Sequence, residues 1–139
     1  MSPQTSSSWN KTITLTDEEI NLYSSRSIML RESAFRDDVS NKTISDDLFN
    51  AAKYLPDAFV DLLIADPPYN MTKTFGSSKF KKSTLDEYRE YTELWLDAIQ
   101  HTLKKTASLY VCCDWYSSMV IGDVLNKRFR VQNRITWQS

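Results

Sequence analysis

Glycine is almost missing from this chain: 139 residues hold only two, Gly76 and Gly122, far apart. A turn that lets backbone approach a nucleotide cofactor and opens a helix there needs several glycines close together. No such turn lies in this sequence. Cysteine is equally scarce. Cys112 and Cys113 are adjacent and no third cysteine can pair with either, which removes disulfide and zinc frameworks as organising features. The single histidine, His101, has no second histidine for a metal site and no triad around it, so it reads as structural. No apolar run approaches the length that crosses a bilayer, and the opening MSPQTSSSWNK lacks a signal-peptide core. A cytoplasmic protein without membrane contact is the expectation. The 17 basic and 18 acidic side chains leave a net charge of −1. General basicity is therefore no route to nucleic acid, and any such contact must come from a local patch.

What is present is an ordinary globular composition, 41% hydrophobic and 25% charged, in a chain long enough for one real core. Its most informative stretch runs from Val60 to Asn70. Val60-Asp61-Leu62-Leu63-Ile64-Ala65 is a short, mostly apolar run, which predicts a central strand buried on both faces. It leads into Asp66-Pro67-Pro68-Tyr69, and two prolines without N–H groups must end the ladder there. A carboxylate, two fixed-φ residues and a phenol are thus set at the carboxyl end of a strand, the edge where open α/β sheets bind ligands. A bare Asp-Pro would read only as a turn. The full string after an apolar strand is far more specific.

Around this stretch the chain reads as two parts. Residues 1–41 form an N-terminal arm with partial helix, polar and Ser-rich to about residue 12. Thr16-Asp17-Glu18-Glu19 then starts a helix carrying Ile20, Leu22 and Tyr23. Residues 42–139 carry the stronger pattern. Thr43-Ile44-Ser45 predicts a short strand, and Asp46 or Asp47 caps a helix with Leu48, Ala51, Ala52 and Leu55 at helical spacing. Pro56-Asp57 ends that helix before the apolar strand. Strand, helix and strand in this order indicate a parallel sheet.

The segment MTKTFGSSKFKKST follows, with Lys73, Lys79, Lys81 and Lys82 and no acid, interleaved with Phe75 and Phe80. It reads either as a solvated loop or as a substrate-binding loop suited to phosphate contact and base stacking. Its place beside the Asp-Pro-Pro-Tyr string favours the latter. Thr84 and Glu87 form a capping box. The helix behind it carries a stripe of Leu85, Tyr88, Thr92, Trp95, Ile99 and Leu103, widened by Tyr91, Leu94 and Ala98. Ser108 to Cys113 predicts another buried strand ending at Asp114-Trp115, with both cysteines packed as small apolar groups. Met119 to Leu125 predicts a helix despite Gly122, and Val131 to Trp137 alternates like a further strand.

From about Thr43 to Gln138 the order of these segments resembles the beta-type (circularly permuted) DNA amino-methyltransferases, with Asp66-Pro67-Pro68-Tyr69-Asn70 as the specific signature. The resemblance implies an α/β fold, part of a Rossmann-like S-adenosylmethionine-dependent methyltransferase sheet. It implies transfer of a methyl group from S-adenosylmethionine to the exocyclic amine of a base flipped out of double-stranded DNA. A leading aspartate favours adenine N6. By resemblance Asp66 and the Pro67 carbonyl accept hydrogen bonds from that amine, Tyr69 stacks on the base, Pro68 completes the catalytic string, and Asn70 only shapes the turn. The resemblance also implies Asp66 and Asp47 at the cofactor, Asp47 beside its adenosine, and the place of the lysine segment beside the turn makes Lys73, Lys79, Lys81 and Lys82 the expected nucleic-acid contacts.

The family's glycine-rich cofactor loop is expected beyond residue 139. The expected chain is therefore an incomplete catalytic portion, either a truncated product or one half of a split enzyme. That leaves room for a second polypeptide or a homodimer to complete the domain. The competing readings are a silent remnant that binds DNA or a partner, and a methyltransferase for an RNA base or protein amide. In the last class asparagine usually leads the motif, so Asp66 argues against it.

Overall fold

Capping chemistry sets most of the helix starts. The computed structural model describes residues 14–75 and 78–136. Helix α1 spans Asp17–Arg26 behind a reciprocal box in which Thr16 and Glu19 satisfy each other's backbone N–H groups. None of its residues is buried, so its apolar positions Ile20, Leu22 and Tyr23 form no core. Strand β1 (Ser27–Ile28), helix α2 (Arg36–Val39) and strand β2 (Thr43–Ile44) follow, with β1 and β2 paired in parallel. Asp47 caps α3 (Leu48–Ala51) by accepting from the Phe49 N–H at 2.9 Å, and a 3₁₀ turn, Ala52–Tyr54, continues it. The chain then turns through Ala58 at φ 48°, where the Ala58 and Phe59 N–H groups donate to the His101 and Thr102 carbonyls.

Strand β3 is Val60–Ala65, β4 is Lys73–Phe75 and β5 is Ser78–Phe80. Helix α4 spans Leu85–Ile99, β6 spans Leu103–Val111 and α5 spans Trp115–Asn126. β3 and β6 pair in parallel, joined by α4, which makes the strand–helix–strand unit of a parallel α/β fold. The register places Leu63 opposite Leu109 and Ala65 opposite Val111, with an irregularity between Val60 and Leu62. Lys104 bridges it, both oxygens of the Asp61 carboxylate accepting from its ammonium at 2.8 Å.

The core lies on one side of this sheet. Trp95, Leu96 and Ile99 of α4, Val124 of α5 and Ala52 are buried together against Leu63, Ala65, Leu109 and Val111. A second cluster, Tyr88 with Val120 and Ile121, joins α4 to α5. Arg89–Asp123, Arg128–Asp97 and Lys127–Glu93 pair across the outside of that helix contact.

Several expectations change. β3 is not buried on both faces: Leu62 and Ile64 point away from the helices and stay exposed. A continuous apolar run cannot say which faces are covered, and both packing helices lie on one side. β2 pairs with β1 rather than joining the β3–β6 sheet. Leu94, at 60% exposure, is outside the α4 stripe. β6 begins earlier than expected and ends at Val111, although the Cys112 N–H still donates to the Ala65 carbonyl at 2.8 Å. Residues 131–136 form no strand, because no neighbouring strand among the described residues satisfies their backbone. Trp137 lies outside the described residues, as do the first 13 residues of the expected arm. No helix among the described residues is long and apolar enough to cross a membrane.

Candidate active site

The carboxyl ends of β3 and β6 lie side by side, and a buried polar chain links the segments that leave them. Pro67 and Pro68 end β3, leaving Asp66 exposed, Tyr69 half-buried and Asn70 buried. Tyr88, only 1% exposed on α4, donates its hydroxyl proton to the Pro68 carbonyl at 3.0 Å. That hydroxyl also meets the Ser117 hydroxyl, and burial pushes its pKa up to about 12. The Ser117 hydroxyl donates to Asp114 at 2.6 Å. Asp114 stands just past β6 as the cap of α5, its other oxygen accepting from the Tyr116 and Ser117 N–H groups at 2.8 and 3.0 Å. Burial opposes the charged form of Asp114, but the bonds from Ser117 and the backbone outweigh it and hold its pKa below the ordinary value. The Pro-Pro turn is thus tied through Tyr88 and Ser117 to the end of the neighbouring strand.

A second tie sits at Asn70. Its side-chain oxygen accepts from the Ser83 N–H at 2.8 Å, and its amide donates to the Ser83 carbonyl at 3.0 Å. Thr72 accepts from the Lys82 N–H one step further out, at 3.2 Å. These contacts close the root of an antiparallel ribbon made by β4 and β5. Lys82 emerges there with its ammonium over the Tyr116 ring, 5.2 Å from the centroid.

Within the turn, burial raises the Tyr69 pKa first. Its hydrogen bond with the Asp66 carboxylate, and that group's charge, raise it further, with smaller contributions from Cys112 and Cys113. Asp66, Tyr69 and the two thiols therefore share one neighbourhood. Burial and then the Asp114 charge push the Cys113 thiol up, against a lowering by Arg134. A raised thiol is a poor nucleophile at neutral pH, which agrees with the reading of the cysteines as packing groups. Both are free thiols, and the described residues hold no group of three or more His, Cys, Asp and Glu able to hold a metal.

Asp66, Pro67, Pro68 and Tyr69 thus come together at one edge. Asp47 is exposed and employed elsewhere, as the cap of α3. Lys81 and Lys82 are exposed at the ribbon root, while the side chains of Lys73 and Lys79 lie outside the described part, as does Gly76. Sequence alone gives Asn70 no role beyond the turn and places Tyr88 in a packing stripe. The available signal was the hydroxyl itself: a tyrosine in a buried stripe needs a partner for its O–H. His101 is structural in place, its ring nitrogen 3.4 Å from the Leu55 carbonyl.

Residues 60–139, more than half of the chain, match the family of DNA methylases comprising the N6 and N4 methyltransferases. Among curated proteins the chain is similar to the type II methyltransferase M.BamHI of Bacillus amyloliquefaciens, 27% identical over 95 residues, covering 68% of this chain and 22% of that protein. It is similar to the type II methyltransferase M.HinfI of Haemophilus influenzae, 28% identical over 123 residues, covering 78% of this chain and 34% of that one. It also resembles the type II methyltransferase M1.MboII of Moraxella bovis, 30% identical over 98 residues, with 70% and 36% covered. The matched part therefore corresponds to between 22% and 36% of these relatives' length. On the family match, which takes in β3, the Asp66–Tyr69 turn, α4, β6 and α5, this chain belongs to the DNA methylases.

Proposed function

We propose that this chain carries the catalytic portion of a site-specific DNA methyltransferase that modifies adenine N6 on a flipped base, with S-adenosylmethionine as methyl donor. The observation that carries this reading is the turn at the end of β3, where an exposed carboxylate and a half-buried phenol are hydrogen-bonded to each other. The lone pair of an aromatic amine is delocalised into its ring, so the amine is a weak nucleophile. The Asp66 carboxylate and the Pro67 carbonyl accept its two N–H bonds and draw the nitrogen toward tetrahedral geometry. A carboxylate has lone pairs for more than one donor, so Asp66 can take the amine while it holds Tyr69. The Tyr69 ring stacks on the base, which offsets part of the few kcal/mol, roughly, that flipping costs. Tyr88 holds the Pro68 carbonyl and so fixes the peptide plane next to the second acceptor.

The donor set fits the reacting end of S-adenosylmethionine, since an anionic, aromatic edge suits a sulfonium. Asp66 would hold that end and Asp47 the adenosine side. When bound, this cofactor supplies an electrophilic methyl group. Lys73, Lys79, Lys81 and Lys82 are assigned to the DNA backbone, and a second polypeptide or a second copy to completion of the domain. The test is transfer of a labelled methyl group to duplex oligonucleotides by the enzyme reconstituted from this chain and whatever completes its domain. Label on adenine-containing duplex alone, lost in Asp66→Ala, is the expected result. Label on cytosine-only duplex would move the target to N4, and transfer by Asp66→Ala at the wild-type rate would remove the mechanism.

A further inference from the structure

The net charge of −1 hides two stretches without any acid. Residues 71–84 carry Lys73, Lys79, Lys81 and Lys82, and residues 127–139 carry Lys127, Arg128, Arg130 and Arg134. They meet on the first turn of α5. Lys82 reaches the Tyr116 ring at 5.2 Å, and the Arg134 guanidinium lies 4.2 Å from the centre of the Trp115 ring. Trp115 and Tyr116 are consecutive and open α5, separated from the end of β6 by Cys112, Cys113 and Asp114. They remain 67% and 46% exposed, unusual for rings of this size. The nearest acid in sequence, Asp114, is committed to capping α5 and to Ser117. Among the described residues no ion pair engages Lys82 or Arg134. Arg134 also acts on Cys113, which in turn acts on Tyr69, so this cation belongs to the same edge as the Asp66 turn.

We infer that Arg134 and Lys82, each seated on a ring of the first turn of α5, form with Trp115 and Tyr116 a surface that grips the phosphates of duplex DNA beside the candidate site. This rests on the DNA methyltransferase reading above. A cation over an exposed ring gains only about 0.5–1 kcal/mol, too little to hold it against an incoming phosphate. The pairing keeps a long side chain extended over the edge and lowers the entropy lost on capture. A guanidinium is suited to this, because its face stacks on indole while its N–H fork stays free for two phosphate oxygens. The rings add apolar area against deoxyribose or an unstacked neighbouring base.

The experiment is fluorescence anisotropy of a labelled duplex titrated with the full 139-residue chain over a series of salt concentrations, with methyl transfer to the same duplex measured in parallel. Arg134→Ala and Lys82→Ala should each weaken binding about fivefold, the scale of one exposed charge contact. Each should also make the dependence of log affinity on log salt shallower by about one. Trp115→Ala should weaken binding with the slope unchanged, since no charge is removed, and Trp115→Phe should recover part of the loss. These positions are exposed, and equal melting curves establish that the variants fold. Should an alanine variant melt early, Arg134→Gln and Lys82→Gln carry the same expectation. Unchanged affinity and slope in the variants, with methyl transfer intact in the wild type, would remove this surface and leave the methyltransferase reading standing. A wild-type chain that binds no duplex would remove this surface, while methyl transfer by the completed enzyme decides the reading on which it rests.

Discussion

On one side of β3 and β6, Leu63, Ala65, Leu109 and Val111 lie beneath α4 and α5. On the other, Leu62, Ile64 and Tyr110 face outward, between 52% and 66% exposed. The residue types on the two sides are alike. What differs is that every helix packed on this sheet arrives on the same side. Parallel sheets are ordinarily covered on both faces, so the described residues build one complete half of such an arrangement and leave the other face bare. The chemistry collects where the covered side meets the strand ends, because Tyr88, Ser117 and Asp114 all descend from the packed helices.

The sharpest way to break this comparison is to truncate one side chain on each face. Leu96→Ala, in the packed core, should cost about 2–5 kcal/mol in urea unfolding, whereas Ile64→Ala should fall within about 0.5 kcal/mol of wild type. An equal loss at Ile64 would mean that the outward face is covered in solution. Next in size is Tyr88→Phe. It leaves the Pro68 carbonyl without its buried donor and should cost about 1–3 kcal/mol. Asp66→Ala, at the exposed tip of the same turn, should leave the melting temperature almost unmoved.

A smaller effect is expected in acid. The Asp114 pKa is lowered in the folded chain, so its stabilisation is fully present above the ordinary value of 3.8 and is lost as pH falls through the folded value. Unfolding followed down to about pH 2 should therefore show a steeper acid loss for wild type than for Asp114→Asn. The asparagine variant should already be weaker at neutral pH by about 1 kcal/mol, the scale of a helix cap. The smallest change should be a gain. Gly122 lies within α5, where an added methyl group meets nothing within 4 Å. Gly122→Ala should stabilise by up to about 1 kcal/mol, visible as a small rise in melting temperature.

Local chemistry was legible in the sequence and partnership was not. The Thr84–Glu87 box, the Asp47 cap and the proline stop after Ala65 act within a few residues, and each stands where the pattern places it. The stripe from Tyr88 to Ile99 was legible for the same reason, since helical spacing fixes which side chains share a face. Which face of β3 is covered is decided by α4 and α5, which return onto it from later in the chain, and a continuous apolar run contains no alternation to decide it. The same holds for residues 131–136, which alternate like a strand but have no partner among the described residues. At the candidate site, the Asp66–Tyr69 string could be read from its order alone. The bonds from Tyr88 and Asn70 could not, because they join positions brought together only by the return of α4 against the strand ends.

The Asn70–Ser83 clamp has a consequence for how such a protein can change. It gathers the chain entering β4 and the chain leaving β5 into one anchored stem, so what the stem carries can be exchanged without disturbing the turn that holds Asp66. Grafting a foreign ribbon between Asn70 and Ser83 would then alter what lies over the strand ends while preserving the framework below. The contact surface and the reactive turn are separable modules, free to diversify at different rates.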